Sequence, residues 1–539
     1  MKRVFTISIT CLFCIIYQSL YAQQFQSSAN KNLKSEFLSK KSNNNKPIEI
    51  GSRLELFIDD YLIEEFVGEA ELRLHHPEPK EIVFKFDAPW EGSGSGYVSM
   101  FQDGDAYKMY YKAWQHESGV FADRGIRCCY AESTDGIHWQ RPNLGLYEFN
   151  GSKNNNIVFI NGVMDGVDAD GGHPAVFKDE NPNVEKDALY KALLVSWKSN
   201  PRGLVVFKSP DGIHWSPLSK TPVITDGAFD SQNLAFWDSV NKEYRAYWRT
   251  FIKVPEGTDK NTSQDVAPGF IRSIRTAVSN DMINWSDQKD LIFTASFPTQ
   301  LYTNAIKPYY RAPHIFIGFP MRYIDRGWSE SMLALPELSH RKIRADYSQR
   351  IGTTITDGLF MTSRDGATFK RWDEAFLRPG LERKETWNYG HQLIAWSIVE
   401  TASSIEDTPK ELSLYAIEDY MTGTSCDLRR YTLRMDGFVS VNAPMDGGEI
   451  ITKPIVFNGK NLIINFSSSA AGDIRVELQD KNGKPIPGFS LEDCSPVFGD
   501  SLARKVTWES GKDLSSLEGK IVRVRFIIKD SDLYSFLFQ

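Results

Sequence analysis

A short phrase, Ser-x-Asp-Gly-x-x-Trp, recurs along this chain at intervals of roughly one four-stranded sheet. It reads Ser133-Thr-Asp135-Gly136-Ile-His-Trp139, then Ser209-Pro-Asp211-Gly212-Ile-His-Trp215, then Ser279-Asn-Asp281-Met-Ile-Asn-Trp285, then Ser363-Arg-Asp365-Gly366-Ala-Thr-Phe369, with a reduced echo at Asp436-Gly437-Phe438. The aspartates lie 76, 70, 84 and 71 residues apart. Asp-Gly between β-rich runs is a hairpin signal, because glycine supplies positive φ and the aspartate side chain bonds nearby backbone N–H groups. Five such hairpins at a near-constant period predict five repeats of one supersecondary unit.

Each repeat contains two strands before the turn and two around it. The first reads "SGYVSMFQDGDAYKMYYKAW" and then "GIRCCYAESTDGIHWQRP". The fold class expected is all-β, a five-bladed β-propeller followed by a C-terminal β-sandwich. The boundaries expected are a signal peptide over 1–22, a flexible leader over 23–50, the propeller as catalytic domain over 51–440, and the sandwich as an accessory domain over 441–539. A chain of 539 residues, 41% hydrophobic and 13% aromatic, has enough apolar surface for both.

Lys2 and Arg3, the apolar run through Tyr17 and the small residue before Gln23 read as a cleavable export signal. The expectation is a secreted or periplasmic protein with no membrane span. Cys11 and Cys14 fall in that signal, and Cys128, Cys129, Cys426 and Cys494 lack metal-ligand spacing, so no metal or other cofactor is expected. A net charge of −7 argues against nucleic acid as a partner. The expected assembly is a monomer or a small homo-oligomer.

The phrases "FKDENP", "FDSQNLAFWD", "TNAIKPYYRAPHIFIGFP", "LFMTSRDG" and "LRRYTLRMDGFVSV" resemble a group of secreted bacterial five-bladed propeller proteins, distant relatives of glycoside hydrolase families 32 and 43. The resemblance runs from about Leu54 to the C terminus. It implies polysaccharide degradation, and three carboxylates from the first three blades that map to Asp59 or Asp60, Asp179 and Asp230.

Propeller topology gives a second route to the site. The innermost strands of all blades begin on one face, so the residues just before them ring one mouth of the axis. These are Glu91 and Ser93, His173, Asp230 and Gln232, Tyr302 and Asn304, and Tyr389 and His391. Asp179 falls after its inner strand, and Asp59-Asp60 precedes the first one, which makes turn or ion-pair roles the simpler reading for both. Second strands return to the same mouth and carry Lys112, Lys198, Arg249 and Arg322, with Arg127 and Arg272 opening the third strands. Converging cations favour a carboxylate or sulfate ligand.

The expected substrate is therefore an acidic oligosaccharide from an anionic polysaccharide such as ulvan or pectin. Elimination at a non-reducing-end uronate needs a cation for the carboxylate, a base and a proton donor. His173, His391 and Tyr389 suit the last two roles. Arg249, Arg272, Arg322 and Lys198 suit the first, with Asn304 and Gln232 as further substrate contacts. The alternative is hydrolysis by a carboxylate pair, for which Glu91 and Asp230 are the two at the mouth. A second alternative is a glycan-binding propeller without turnover.

Overall fold

The computed structural model describes residues 46–115, 125–254, 266–286, 288–294 and 296–539. The expected signal peptide, and residues 23–45 of the expected leader, lie outside the described residues. Residues up to Ile48 group apart from Glu49–Gln539, the unit described here.

Five sheets form the blades. In the first, Gly96–Asp103, Ala106–Ala113, Arg127–Ser133 and Trp139–Gln140 pair in sequence, and Ile157–Ile160 adds to Arg127–Ser133. The second is Val176–Lys178, Tyr190–Ser196, Gly203–Ser209 and Ser216–Pro217, and the third is Leu234–Asp238, Glu243–Lys253, Phe270–Ser279 and Lys289–Asp290. The fourth runs Lys307–Tyr309, Ala312–Gly318, Met361–Ser363 and Thr368–Arg371. Between its second and third strands comes a hairpin, Met321–Asp325 with Thr354–Gly358, that carries three short helices, Glu330–Ala334, Leu338–Tyr347 and Gln349–Thr353. Among the described residues the helices have no counterpart in the other repeats.

The fifth blade has Leu393–Ile394, Glu411–Glu418 and Asp427–Leu433, and its outermost strand is Glu78–Lys85, from before the first blade. This antiparallel pairing closes the ring. Arg430 forms an ion pair with Glu81, and Arg429 donates to the Lys80 carbonyl.

The repeated turns fold as their chemistry requires. Asp135 Oδ1 accepts from the N–H groups of Ile137 and His138 at 2.8 Å each, and Asp211, Asp281 and Asp365 do the same in their own turns. Gly136, Gly212 and Gly366 have φ of 75°, 82° and 72°. Met282, which replaces glycine in the third repeat, adopts φ 68°, so the turn geometry persists there at the cost of backbone strain.

The glycine carbonyls also join the blades. Tyr110 of the first blade donates to the Gly212 carbonyl (3.0 Å), Tyr247 of the third to Gly366 (2.7 Å), and Tyr415 of the fifth to Gly136 (2.6 Å). Trp139 and Trp215 indoles donate to the same glycine carbonyls within their own turns. Blades two and three meet through Asp179, which holds Lys191 and accepts from Tyr244. Blades four and five meet where Tyr310 donates to Glu400 and the Trp396 indole donates to the Ile306 carbonyl.

The C-terminal β-sandwich is organised by two 18-residue strands, Leu462–Gln479 and Ile521–Phe538, paired along their length. It also takes in strands from before the propeller. Glu55–Leu56 pairs with Ile521–Phe538, Ile63–Gly68 with Gly448–Thr452, and Glu71–Leu74 with Val439–Ala443. Residues 55–74, expected within the propeller segment, thus belong to this sheet by pairing. Its core buries Phe57, Phe526, Phe536 and Phe538 in mutual ring contact.

A Cβ added at Gly366 would lie 2.9 Å from the Arg245 guanidinium and the Tyr247 hydroxyl, on a backbone at positive φ. Gly366→Ala is expected to cost about 1–3 kcal/mol, and Tyr247→Phe about 1 kcal/mol, as read from urea unfolding midpoints. Equal, negligible shifts would refute the seam role of this turn.

Candidate active site at the axial mouth

The inner strands bring side chains from all five blades together at one mouth. The first contributes Tyr97, whose φ of 48° lies within an irregularity of register between Gly96 and Ser99. A bulge of this kind re-aims a side chain out of the strand alternation. Before the second blade, His173 packs its ring edge-on to Tyr97 with centroids 4.6 Å apart.

His173 stands between two carboxylates. Its Nδ1 is 2.7 Å from Asp170 Oδ2, and its Nε2 is 3.5 Å from Asp230 Oδ1. Asp170 is buried and further held by the Gly172 N–H (2.6 Å) and the Trp197 indole (3.1 Å). Asp230 differs: 60% of its side chain is accessible, against 12% for His173. Burial opposes ionisation of Asp230, but the charges of His173, Arg249 and Arg350 outweigh it and hold its carboxyl below the usual range. Arg249 lies 3.4 Å from Asp230 and donates to the Ala228 carbonyl.

A group of tyrosines forms the opposite wall. Tyr302 and Tyr389 share a 2.6 Å hydroxyl contact, Tyr323 stacks on Tyr302, and Tyr420 packs against Tyr389. Burial pushes the phenols of Tyr97, Tyr389 and Tyr420 well up, so they stay protonated at neutral pH. Arg249 and Arg272 stand over Tyr302 at 5.4 and 5.6 Å, and Arg350 over Tyr389 at 5.5 Å. Arg272 also donates to Gln300.

Lys112 completes the cluster. Its ammonium donates to the Tyr420 hydroxyl at 2.8 Å and lies about 5 Å from the Tyr97, Trp114 and Tyr420 rings. Burial pulls its pKa down to about 8, against the opposing pull of Cys426, Asp230 and Asp170. Such a group holds or releases a proton near neutrality.

Of the residues expected here, His173, Asp230, Tyr302, Tyr389, Lys112, Arg249 and Arg272 meet. The others stand elsewhere. Glu91 has a fully buried side chain that accepts from Tyr111 (2.6 Å), from Arg141 through two nitrogens (2.9 and 2.8 Å) and from the Ala88 N–H (3.0 Å). Those contacts fill its acceptor positions, so Glu91 does not form a catalytic pair with Asp230. His391 is wholly buried. Its Nδ1 accepts from the Trp387 N–H, and its Nε2 faces Gln392 and Glu418. Positive φ at Glu385, Trp387, Gly390 and Gln392 breaks the alternation that would have put Tyr389 and His391 on one face.

Arg322 is paired with Asp357 and donates to the Asp373 carbonyl, and Lys198 is a 77%-exposed side chain beside Asp168. Gln232 ties three blades by donating to the Pro174 and Tyr97 carbonyls and to Ser99. Asn304 is buried, and its Oδ1 accepts from the Ile306 N–H. Arg127 stands over Phe149, away from the cluster. Asp59 is paired with Arg364 of the fourth repeated turn, Asp60 is exposed, and Asp179 pairs with Lys191 within blade two and accepts from Tyr244 of blade three. Of the three carboxylates implied by the family resemblance, Asp230 alone reaches the mouth.

Asp170, Tyr97, Tyr420 and Arg350 were not anticipated. Asp170 carried a signal: Asp170-x-x-His173 repeats the spacing of Asp135-x-x-His138 and Asp211-x-x-His214, and all three pairs have the same 2.7 Å contact. Arg350 comes from the helical insert, which the repeat does not announce. Among the described residues no cluster of three or more His, Cys, Asp or Glu is placed to hold a metal ion, and no helix is long and apolar enough to cross a membrane.

No protein-family model and no curated protein matches the chain. Among solved structures it is similar to a glycosyl hydrolase from Bacteroides ovatus (16% identity, 69% of this chain and 97% of that one, TM-score 0.39). It is also similar to an endo-arabinase from Bacteroides thetaiotaomicron (11%, 66% and 98%, 0.36). A third is a protein described among GH130 mannoside phosphorylases and glycoside hydrolases that target β-1,2 mannosidic linkages in Candida mannan (14%, 66% and 94%, 0.38).

Glu91→Ala is expected to cost about 3–5 kcal/mol in unfolding free energy, since it strands Arg141 and Tyr111, whereas Asp230→Asn, at a largely accessible side chain, is expected to cost much less. Lys112 has a second signature. Its folded pKa lies below its unfolded value of 10.5, so the unfolded chain binds the extra proton between about pH 8 and 10.5 and this group's contribution to stability rises with pH there. The stability difference between wild type and Lys112→Met should change across that window and be flat below it.

Proposed function

We propose that the protein is a carbohydrate-active enzyme that acts by β-elimination on the non-reducing-end uronate of an acidic oligosaccharide. The observation that carries this reading is the composition of the mouth. Among the described residues, Asp230 is the single solvent-open carboxylate of a network that otherwise consists of His173 on its buried Asp170, tyrosines, Lys112 and three arginines. Hydrolysis needs two carboxylates flanking the glycosidic bond, and the other carboxylate of this network among the described residues, Asp170, is buried behind His173.

In this reading Arg249 and Arg350 neutralise the uronate carboxylate, which acidifies the proton on C5. The Asp170-supported imidazole of His173 takes that proton at Nε2, next to Asp230. The C–H electron pair becomes the C4–C5 double bond, the C4–O bond breaks, and Tyr389, in contact with Tyr302, protonates the departing oxygen. A terminal uronate carries only a hydroxyl at C4. The leaving group is then water, and the product is an intact oligosaccharide with an unsaturated end.

Incubating the purified protein with uronate-terminated oligosaccharides from ulvan or pectin tests this. The expected result is near-ultraviolet absorbance from the conjugated product, with loss of water from an unshortened chain by mass spectrometry. His173→Gln and Tyr389→Phe should each lower kcat/KM by about 10²–10⁴-fold, whereas His391→Gln should act on stability rather than on the chemical step. Release of a saturated monosaccharide without absorbance would replace elimination with hydrolysis. Tight binding without turnover would make the propeller a glycan-binding module.

A further inference from the structure

At the far end of the inner strands lies a second cavity of about 370 Å³, lined from blades one, two, four and five. Its residues come further along the chain than the mouth residues of the same blades: Phe101 and Gln102 on the strand of Tyr97, and Lys178, Lys307, and Val399 with Glu400 after His173, Tyr302 and Tyr389. Its lining shares no residue with the axial cluster. Its volume suits a single small molecule.

Lys307 is the unusual member. It lines the cavity from the innermost strand of blade four, and it makes no hydrogen bond or ion pair among the described residues. Burial pulls its ammonium below the ordinary lysine range, with Glu180 as the one opposing charge. Lys307 is half-buried, and an ammonium partly withdrawn from water without a partner is stabilised by an anion brought to it. The other charges are arranged around it. Lys178 is occupied by Asp103, Lys410 is exposed without an ion-pair partner, and Glu400 accepts from Tyr310 (2.6 Å) while Glu180 makes no ion pair. Phe319 and Pro308 supply an apolar surface.

We infer that this far mouth is a separate binding site for a sugar acid of monosaccharide size. Its carboxylate meets Lys307, its hydroxyls donate to Glu180 and Glu400, and its ring face lies on the apolar surface. A neutral sugar leaves Lys307 unpaired, and a plain inorganic anion brings no hydroxyl donor to Glu180 or to the second oxygen of Glu400. The site stands on its own residues and does not depend on the chemistry proposed for the other mouth.

Calorimetric titration with glucuronate and galacturonate tests it, with galactose and inorganic sulfate as comparisons. The Arg249→Ala variant removes the contribution of the axial mouth. Hexuronate binding is expected to persist in Arg249→Ala, to weaken by roughly 10–100-fold on adding Lys307→Met, and to be largely retained with Lys307→Arg. Lys307→Met replaces a half-buried, unpaired charge with an apolar chain of similar length, so its unfolding midpoint should not fall. The inference is overturned if Arg249→Ala binds no hexuronate, if Lys307→Met titrates like its parent, or if sulfate or galactose binds as tightly as the sugar acid. Failure of elimination at the axial mouth would leave these outcomes unchanged.

Discussion

The carbonyl at the tip of the repeated turns is the point on which the ring depends. Its orientation needs positive φ, which glycine accepts freely and Met282 adopts in the third turn, and in the first two turns its two lone pairs serve two different neighbours. One takes the indole N–H of the turn's own tryptophan, and the other takes a tyrosine hydroxyl from the preceding blade. A single atom thus fixes the shape of a blade and its angle to the next. Where the sequence departs from the pattern, other polar contacts across the seam take over, such as Asp179 with Tyr244.

A rigid ring makes the axial cluster possible. Residues as far apart as Tyr97 and Tyr420 meet there, and none of them needs help from its sequence neighbours to reach the others. The cost is local strain. Positive φ at Tyr97, Trp387 and Gln392 is tolerated because the surrounding blades overdetermine these positions. Arg341 and Arg344 of the helical insert show how this is done: Arg341 donates to the Thr386 and Trp387 carbonyls, and Arg344 donates to Asn388 Oδ1. They hold the segment that presents Tyr389.

The blade count, the turn positions and the face on which the mouth opens were legible because they follow from a repeated local code and the two-residue period of strands. His173, Asp230 and Arg249 were legible for the same reason. What strand periodicity could not supply was the direction of side chains where the strands stop being regular. Tyr97 sits on a bulge and was overlooked, while His391 sits beyond a left-handed glycine and was wrongly placed with Tyr389. Glu91 was misread for a different reason: its partner Arg141 lies 50 residues away, and no local pattern announces it. The pairing of residues 55–85 with strands from the last part of the chain is still more remote.

That remote pairing bears on how the molecule comes into being. Glu78–Lys85 can pair only after Asp427–Leu433 has been made, and Glu55–Leu56 waits for Ile521–Phe538. During synthesis the early blades have neighbours on one side only, and the first blade lacks the seam from Tyr415 until the fifth is in place. Closing so long a loop adds little entropy cost per added residue, but it slows assembly, because distant contacts form last. The ring around the axial mouth is therefore complete only when strands from the two ends of the chain have paired.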